Sequence, residues 1–258
     1  VSLIVQLTIL SSERMKSLQD LLLKRGKLYI TSFPRRPESV FDGVEMPVAI
    51  LISTSAHAKL SEITTTRVQR FYTEERPTAF STFYMVPHHF RLSNHRIAKI
   101  GSPIEVSILE KMQKPKLIID MITTKTSSNF VYYQEACRYW VKAILGLPYF
   151  RRNGEKMSPP HGRYLYFHSI EETAFTTCLM NSSLFYWFYS AFSDGEHLND
   201  NLVRGFKIPE NWKAYEWQRI CEELMYDLNK SAQRKTINTK QGHIIEYDEV
   251  KALKVKQK

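Results

Sequence analysis

The chain has 258 residues, 43% of them hydrophobic and 12% aromatic, which is enough apolar material for one large domain or two modest ones and excludes a disordered chain. A formal net charge of +10 and an isoelectric point of about 9.4 favour a polyanionic partner, because lysine and arginine release counterions condensed on phosphates. Only nine glycines occur, and no repeat or low-complexity linker interrupts the chain.

No targeting signal is evident. The longest apolar stretch, CLMNSSLFYWFYSAF, is too short and too polar to cross a bilayer. The first residues, VSLIVQLTIL, lack the basic region of a signal peptide and read as a strand entered in mid-fold, so the chain is expected to be a cytoplasmic fragment. Cys137, Cys178 and Cys221 are far apart and set in apolar helical surroundings, as buried free thiols are.

In chain order, residues 2–10 form an apolar strand. Ser11 or Ser12 caps a helix that places Met15, Leu18 and Leu22 on one face and ends at Gly26. KLYITSF is a second strand. Residues 47–54 are a third, an apolar run of the kind buried on both faces of a parallel α/β sheet, although the short loop before it suits an antiparallel hairpin. Few strands and one helix leave the other sheet face bare, so something must cover it. Residues 56–77 are polar and expected to be helical. A further helix runs from Ser102 or Pro103 to Lys114. Residues 115–209 mix short strands and basic loops with one strongly apolar helix near 170–192. The last helix aligns Trp217, Ile220, Leu224 and Leu228 and precedes a lysine-rich tail.

Familiar catalytic motifs are missing. No glycine-rich loop follows a strand, and no HExxH, paired-cysteine or GxSxG pattern occurs. His88, His89 and His95 share no carboxylate or cysteine at ligand spacing, so they read as solvated loop histidines and no metal is expected. Glu222, Glu223 and Asp227 read as the wet face of the last helix, and SPPHG (158–162) as a turn.

Several segments are nevertheless specific. Residues 3–54, LIVQLTILSSERMKSLQDLLLKRGKLYITSFPRRPESVFDGVEMPVAILIST, resemble the later segments of amino-type, N6-adenine DNA methyltransferases from restriction–modification systems. They look most like the single-chain restriction-and-modification enzymes. LMNSSLFYWFYSAFSDGEHL (179–198), YYQEACRYWVKAILGLPYF (132–150) and IIEYDEV (244–250) are similar to segments of the same family, so the resemblance covers most of the chain. The sequence departs from the pattern at Gln6, where the family often has proline. The resemblance implies that the family's glycine-containing cofactor loop and its Asn-Pro-Pro-Tyr motif would lie upstream of Val1.

The resemblance implies a fold of α/β to α+β class. Residues 1–55 would be the incomplete C-terminal edge of a Rossmann-like methyltransferase sheet and 56–114 a helical connector. Residues 115–209 would be a mixed α+β target-recognition domain, followed by a helix and basic tail over 210–258. It implies double-stranded DNA as partner, the rest of the methyltransferase domain in cis or in trans, and S-adenosylmethionine held outside this chain. A non-catalytic DNA-binding specificity module docked on a separate methyltransferase subunit is the alternative.

The family's aromatic against the flipped adenine maps to Phe41, the alternative for that residue being a plug at the sheet edge. Arg35 and Arg36 would clamp phosphates. In the basic, aromatic-edged loop FRRNGEKMSPPHGRYLYF, Arg151, Arg152, Asn153, Lys156, His161 and Arg163 are candidate DNA contacts. Lys125 and Asn129 in TTKTSSNF are two more. The run Leu184–Tyr189 is expected to be domain core, since aromatics at every position bury all sides of a helix.

Overall fold

The computed structural model describes residues 1–55, 62–81, 83–93, 95–113, 116–137 and 141–250. The fold is α+β, built from antiparallel and mixed sheets. It divides into two compact units, Val1–Pro115 with Phe188–Glu196, and Lys116–Trp187 with His197–Lys258.

In the first unit, β1 (Ser2–Gln6), β2 (Leu28–Phe33), β3 (Val48–Ser53), β4 (Ile63–Val68) and β5 (Met85–His88) form one sheet in the order β1-β3-β2-β4-β5. A helix α1 (Lys16–Lys24) precedes β2; a two-residue pair, β6 (Arg91–Leu92) and β7 (Arg96–Ile97), and helix α2 (Pro103–Lys111) follow β5. The third strand sits between two antiparallel neighbours rather than in a parallel sheet, and among the described residues β2–β4 is the one parallel pair. The hairpin partnership of β2 and β3 is as the short loop implied.

Three features differ from the sequence reading. The first strand stops at Gln6, and Leu7–Leu10 form a 3-10 helix with Leu7, Ile9 and Leu10 buried, because an apolar run hidden on all sides carries no period. In α1 the buried stripe is Gln19, Leu22 and Leu23, whereas Leu18 is exposed. Gln19 holds the inner position by donating to the carbonyls of Ile9 and His95 while its own carbonyl accepts from Arg91. Residues 63–68, expected to be helical, are β4, as a β-branched Ile-Thr-Thr-Thr run favours. The beginning of that expected helix, 56–61, lies outside the described residues, as does the Lys114 end expected for α2. The start of α2 is as read, with Pro103 in the first turn after Ser102.

One face of the sheet is covered by residues 7–10 and α1, giving a core of Leu10, Leu22, Leu28, Ile30 and Leu51. The other face is covered at one end by Phe71 over Phe33 and Val48. Towards the opposite end Ile4 and Ile52 are 59% and 47% exposed, so part of this face is bare.

His88 and His95 are buried, which corrects the reading of solvated loop histidines; His89 is exposed. The backbone N–H of Phe90 donates to Nδ1 of His88, so the proton sits on Nε2 and faces Thr65 Oγ1 at 2.9 Å. That hydroxyl donates onward to the Ile100 carbonyl. Burial is the main reason the imidazole pKa falls to about 4. Lys99 is also buried and donates to the carbonyls of Ala191 and Ser193, both at 2.7 Å; burial lowers its pKa to about 7.

The second unit starts with β8 (Lys116–Leu117) and β9 (Ile122–Thr123), then β10 (Phe130–Gln134), β11 (Ala143–Leu145), β12 (Phe150–Arg152), β13 (Glu155–Lys156) and β14 (Gly162–Phe167). Next come α3 (Ile170–Met180), α4 (Ser183–Phe192, whose residues from Phe188 on are counted with the first unit), α5 (Asp200–Arg204), β15 (Lys207–Ile208), α6 (Trp217–Lys230), β16 (Ala232–Asn238) and β17 (Ile244–Val250). One antiparallel sheet runs β11-β10-β14-β9 and a second runs β13-β12-β17-β16, while β8 pairs with β15.

The apolar helix expected near 170–192 is two helices. Ser169 and Glu172 close a capping box on α3. The chain breaks at Asn181, whose side chain donates to the carbonyls of Ala143 and Thr177. Phe185, Phe188 and Tyr189 are buried and Leu184 is exposed, so the aromatic run is mostly core. Phe175 meets Trp212 and Trp217 with ring centroids 4.8 and 4.9 Å apart, seating α3 on α6. Cys178 and Cys221 face each other between these helices. The hydrogen bond they share raises the pKa of Cys178 and lowers that of Cys221. The expected tail is a hairpin as far as Val250, formed by β16 and β17, and its remainder lies outside the described residues.

Candidate nucleic-acid interface

The stretch read as a basic loop around 150–156 is a hairpin. Asn153 and Gly154 have φ of +52° and +82°, the left-handed pair that an Asn-Gly turn supplies between two strands. Register sets Arg151 opposite Lys156 and Arg152 opposite Glu155. All four side chains are exposed.

This hairpin is joined to the C-terminal one. Arg152 lies opposite Ile245, and Asn153 continues the pairing with its N–H on the Ile244 carbonyl at 2.8 Å. Its side-chain oxygen accepts from the Ile244 N–H at 2.9 Å, and its Nδ2 lies 3.2 Å from His243 Nδ1. The second turn is closed by Thr239, whose N–H bonds the His243 carbonyl and whose hydroxyl accepts from the His243 N–H. The two turns therefore lie side by side at one end of a four-stranded sheet. No described side chain in these four strands is buried. The sheet is rich in charged and polar side chains, and no described residue of it belongs to a buried core.

Charge is graded along the sheet. Away from the turns, Arg234 bonds Asp248 at 2.6 Å, Lys235 lies 3.8 Å from Glu249, and the Tyr149 hydroxyl meets Glu246 at 3.4 Å. The Arg234 guanidinium stacks 3.3 Å from the Tyr149 ring centre. At the turns, Arg152, Lys156 and Lys240 are exposed and make no ion pair or side-chain hydrogen bond with the described residues.

The other expected contacts of this unit are spread over different roles. Arg163 is paired with Glu135 at 3.0 Å. His161, with φ of +60°, is exposed in the turn before β14, and its carbonyl accepts from the Glu135 N–H, so SPPHG does end in a turn. Gly162 is needed there, because a Cβ would come within 2.3 Å of the Tyr132 ring. Lys125 is exposed. Asn129 bridges strands, its carbonyl accepting from Phe167 N–H and its side chain lying 3.4 Å from the His168 carbonyl.

In the first unit, Phe41 is half-buried on the turn that leads to β3 and packs against the Phe33, Val40, Val48 and Phe71 cluster. Gly43, at φ +74°, lets the chain reverse so that Val44 N–H reaches the Phe41 carbonyl. Arg76 pins this turn through Asp42, Glu38 and the Ser39 carbonyl. Arg35 is paired with Glu196 at 3.3 Å, and Arg36 is exposed without an ion pair among the described residues. Of the two, Arg36 is thus the cation not engaged within the described residues.

The sequence reading missed Tyr149, Arg234, Lys235, Lys240 and His243. Asn-Gly at 153–154 and the alternating IIEYDEV were the signals for the two hairpins; nothing in the sequence marked them as neighbours. No group of histidine, cysteine, aspartate or glutamate among the described residues could hold a metal ion, and no described helix is long and apolar enough to cross a membrane. No protein-family model and no curated protein matches the chain.

Proposed function

We propose that this chain is the base-flipping rim and DNA-recognition portion of a site-specific adenine-N6 DNA methyltransferase of a restriction–modification system. The observation that carries the reading is the four-stranded sheet with no buried side chain among those described and with unneutralised cations at its turns, since a surface of that kind suits a phosphate-bearing partner. Phe41 on its pinned turn supports the base-flipping part. An aromatic held at the lip of a strand can stack on an extruded adenine and offset an unstacking cost of a few kcal/mol. Edge strand β1 and the bare Ile4 and Ile52 support a further covering element, which this reading assigns to the rest of the catalytic domain.

This reading places the nucleoside cofactor outside this chain. The residues directly after the five strands of the first sheet are Leu7, Pro34, Thr54, Gln69 and His89, and none lets the backbone approach a ligand as glycine does. S-adenosylmethionine, the methyl donor of this reading, is therefore assigned to the rest of the enzyme. The same open edge suits the second reading, a specificity module docked on a separate subunit.

The test is methylation by the protein made from the whole native gene, or by this chain mixed with the methyltransferase subunit encoded beside it. N6-methyladenine at one sequence motif is expected. No methyladenine in either arm, or methylation of cytosine instead, overturns the proposal.

A further inference from the structure

We infer that the joined turns of the two hairpins, Asn153–Gly154 and Thr239–Gly242, form a clamp for the phosphate backbone of duplex DNA, with Arg152, Lys156 and Lys240 as its cations. The inference rests on the DNA-recognition reading above and adds to it the C-terminal hairpin, which lies outside the segment expected to contact DNA.

Three observations carry it. First, Asn153 ties the two turns by main-chain and side-chain hydrogen bonds to Ile244 and His243, so they present one surface rather than two independent loops. Second, the acids of β17 are matched within the sheet by Arg234, Lys235 and Tyr149, which leaves Glu155 as the acid near the turns against three cations without partners. Third, Arg152 lies opposite Glu155 and Ile245 while Lys156 lies opposite Arg151, so Arg152 and Lys156 project from opposite faces of the sheet. Charges on both faces of one edge suit a rod of phosphates running past that edge better than a flat base-reading surface. Asn153 is already committed to Ile244, so the turns grip without reading sequence.

The experiment measures the salt dependence of duplex binding by fluorescence anisotropy for the full chain and for Arg152→Gln, Lys156→Gln and Lys240→Gln. Lys111→Gln on α2 serves as a control with the same change in net charge. Circular dichroism melting confirms that each variant is folded. Each turn variant is expected to lower the magnitude of the log–log salt slope by roughly 0.9, equally on duplexes of unrelated sequence, with the control unchanged. Wild-type slopes in all three turn variants, an equal effect of the control, or a loss confined to one sequence overturns the clamp while leaving the DNA reading standing. Absence of duplex binding by the wild-type chain at low salt overturns both.

Discussion

Asn153 and Ile244 form a reciprocal pair, with the Asn153 N–H on the Ile244 carbonyl at 2.8 Å and the Ile244 N–H on the Asn153 side-chain oxygen at 2.9 Å. One residue thus sets both a left-handed turn and the seam between two hairpins 91 positions apart.

Separating those two duties gives the first prediction. Asn153→Gly keeps the positive φ and loses the side-chain bonds, at a cost of about 0.5–1.5 kcal/mol. Asn153→Ala adds about 1–2 kcal/mol for the left-handed backbone. Amide exchange at Ile244 should accelerate in both variants, and melting should fall further for alanine. Unchanged exchange at Ile244 would show that the seam does not depend on Asn153.

His88 makes stability depend on pH. Its pKa is about 4 in the folded chain against an ordinary 6.5, so the folded state resists a proton that the unfolded state accepts. The contribution is complete above pH 6.5 and is lost as pH falls from there towards 4, by on the order of 3 kcal/mol in all. Urea unfolding of wild type and His88→Gln between pH 7 and 4.5 should show a steeper loss for the wild type. Parallel curves would contradict the buried, neutral imidazole.

Phe41 distinguishes stacking from packing. On the proposed methyltransferase reading, Phe41→Ala in the whole protein should lower methylation, and lower it least where the target adenine is mispaired and already easier to extrude. Its half-buried side chain should cost well below the roughly 3–5 kcal/mol of a core phenylalanine truncation. A full core-sized drop in stability with no rescue by mispairing would make Phe41 a plug for the Phe33 cluster.

The methyl donor gives a fourth prediction. Calorimetry of S-adenosylmethionine against this chain alone should register no binding, for want of a glycine turn after any strand of the first sheet. Micromolar affinity would overturn the assignment of the donor to the rest of the enzyme.

Much of the first unit was legible. The β2–β3 hairpin, the Pro103 helix start and the bare sheet face followed from turn length, proline placement and a count of covering elements. Errors arose where burial erased period, as at Leu7–Leu10, or where a polar side chain held an inner position, as Gln19 does in α1. The candidate interface was half legible: Arg151, Arg152 and Lys156 were named, but the lysine-rich end concealed a strand. Whether an arginine is matched, as Arg163 is by Glu135, or unmatched, as Arg152 is, depends on long-range pairing that no local pattern records.

The central claim is that this chain recognises DNA, and its affinity for a duplex as salt is raised tests that most directly. With six to ten phosphates neutralised, the log–log slope should be roughly −5 to −9, and affinity should fall about 10³–10⁵-fold between about 50 and 200 mM salt. A flat response, or no binding at about 50 mM salt, would contradict it.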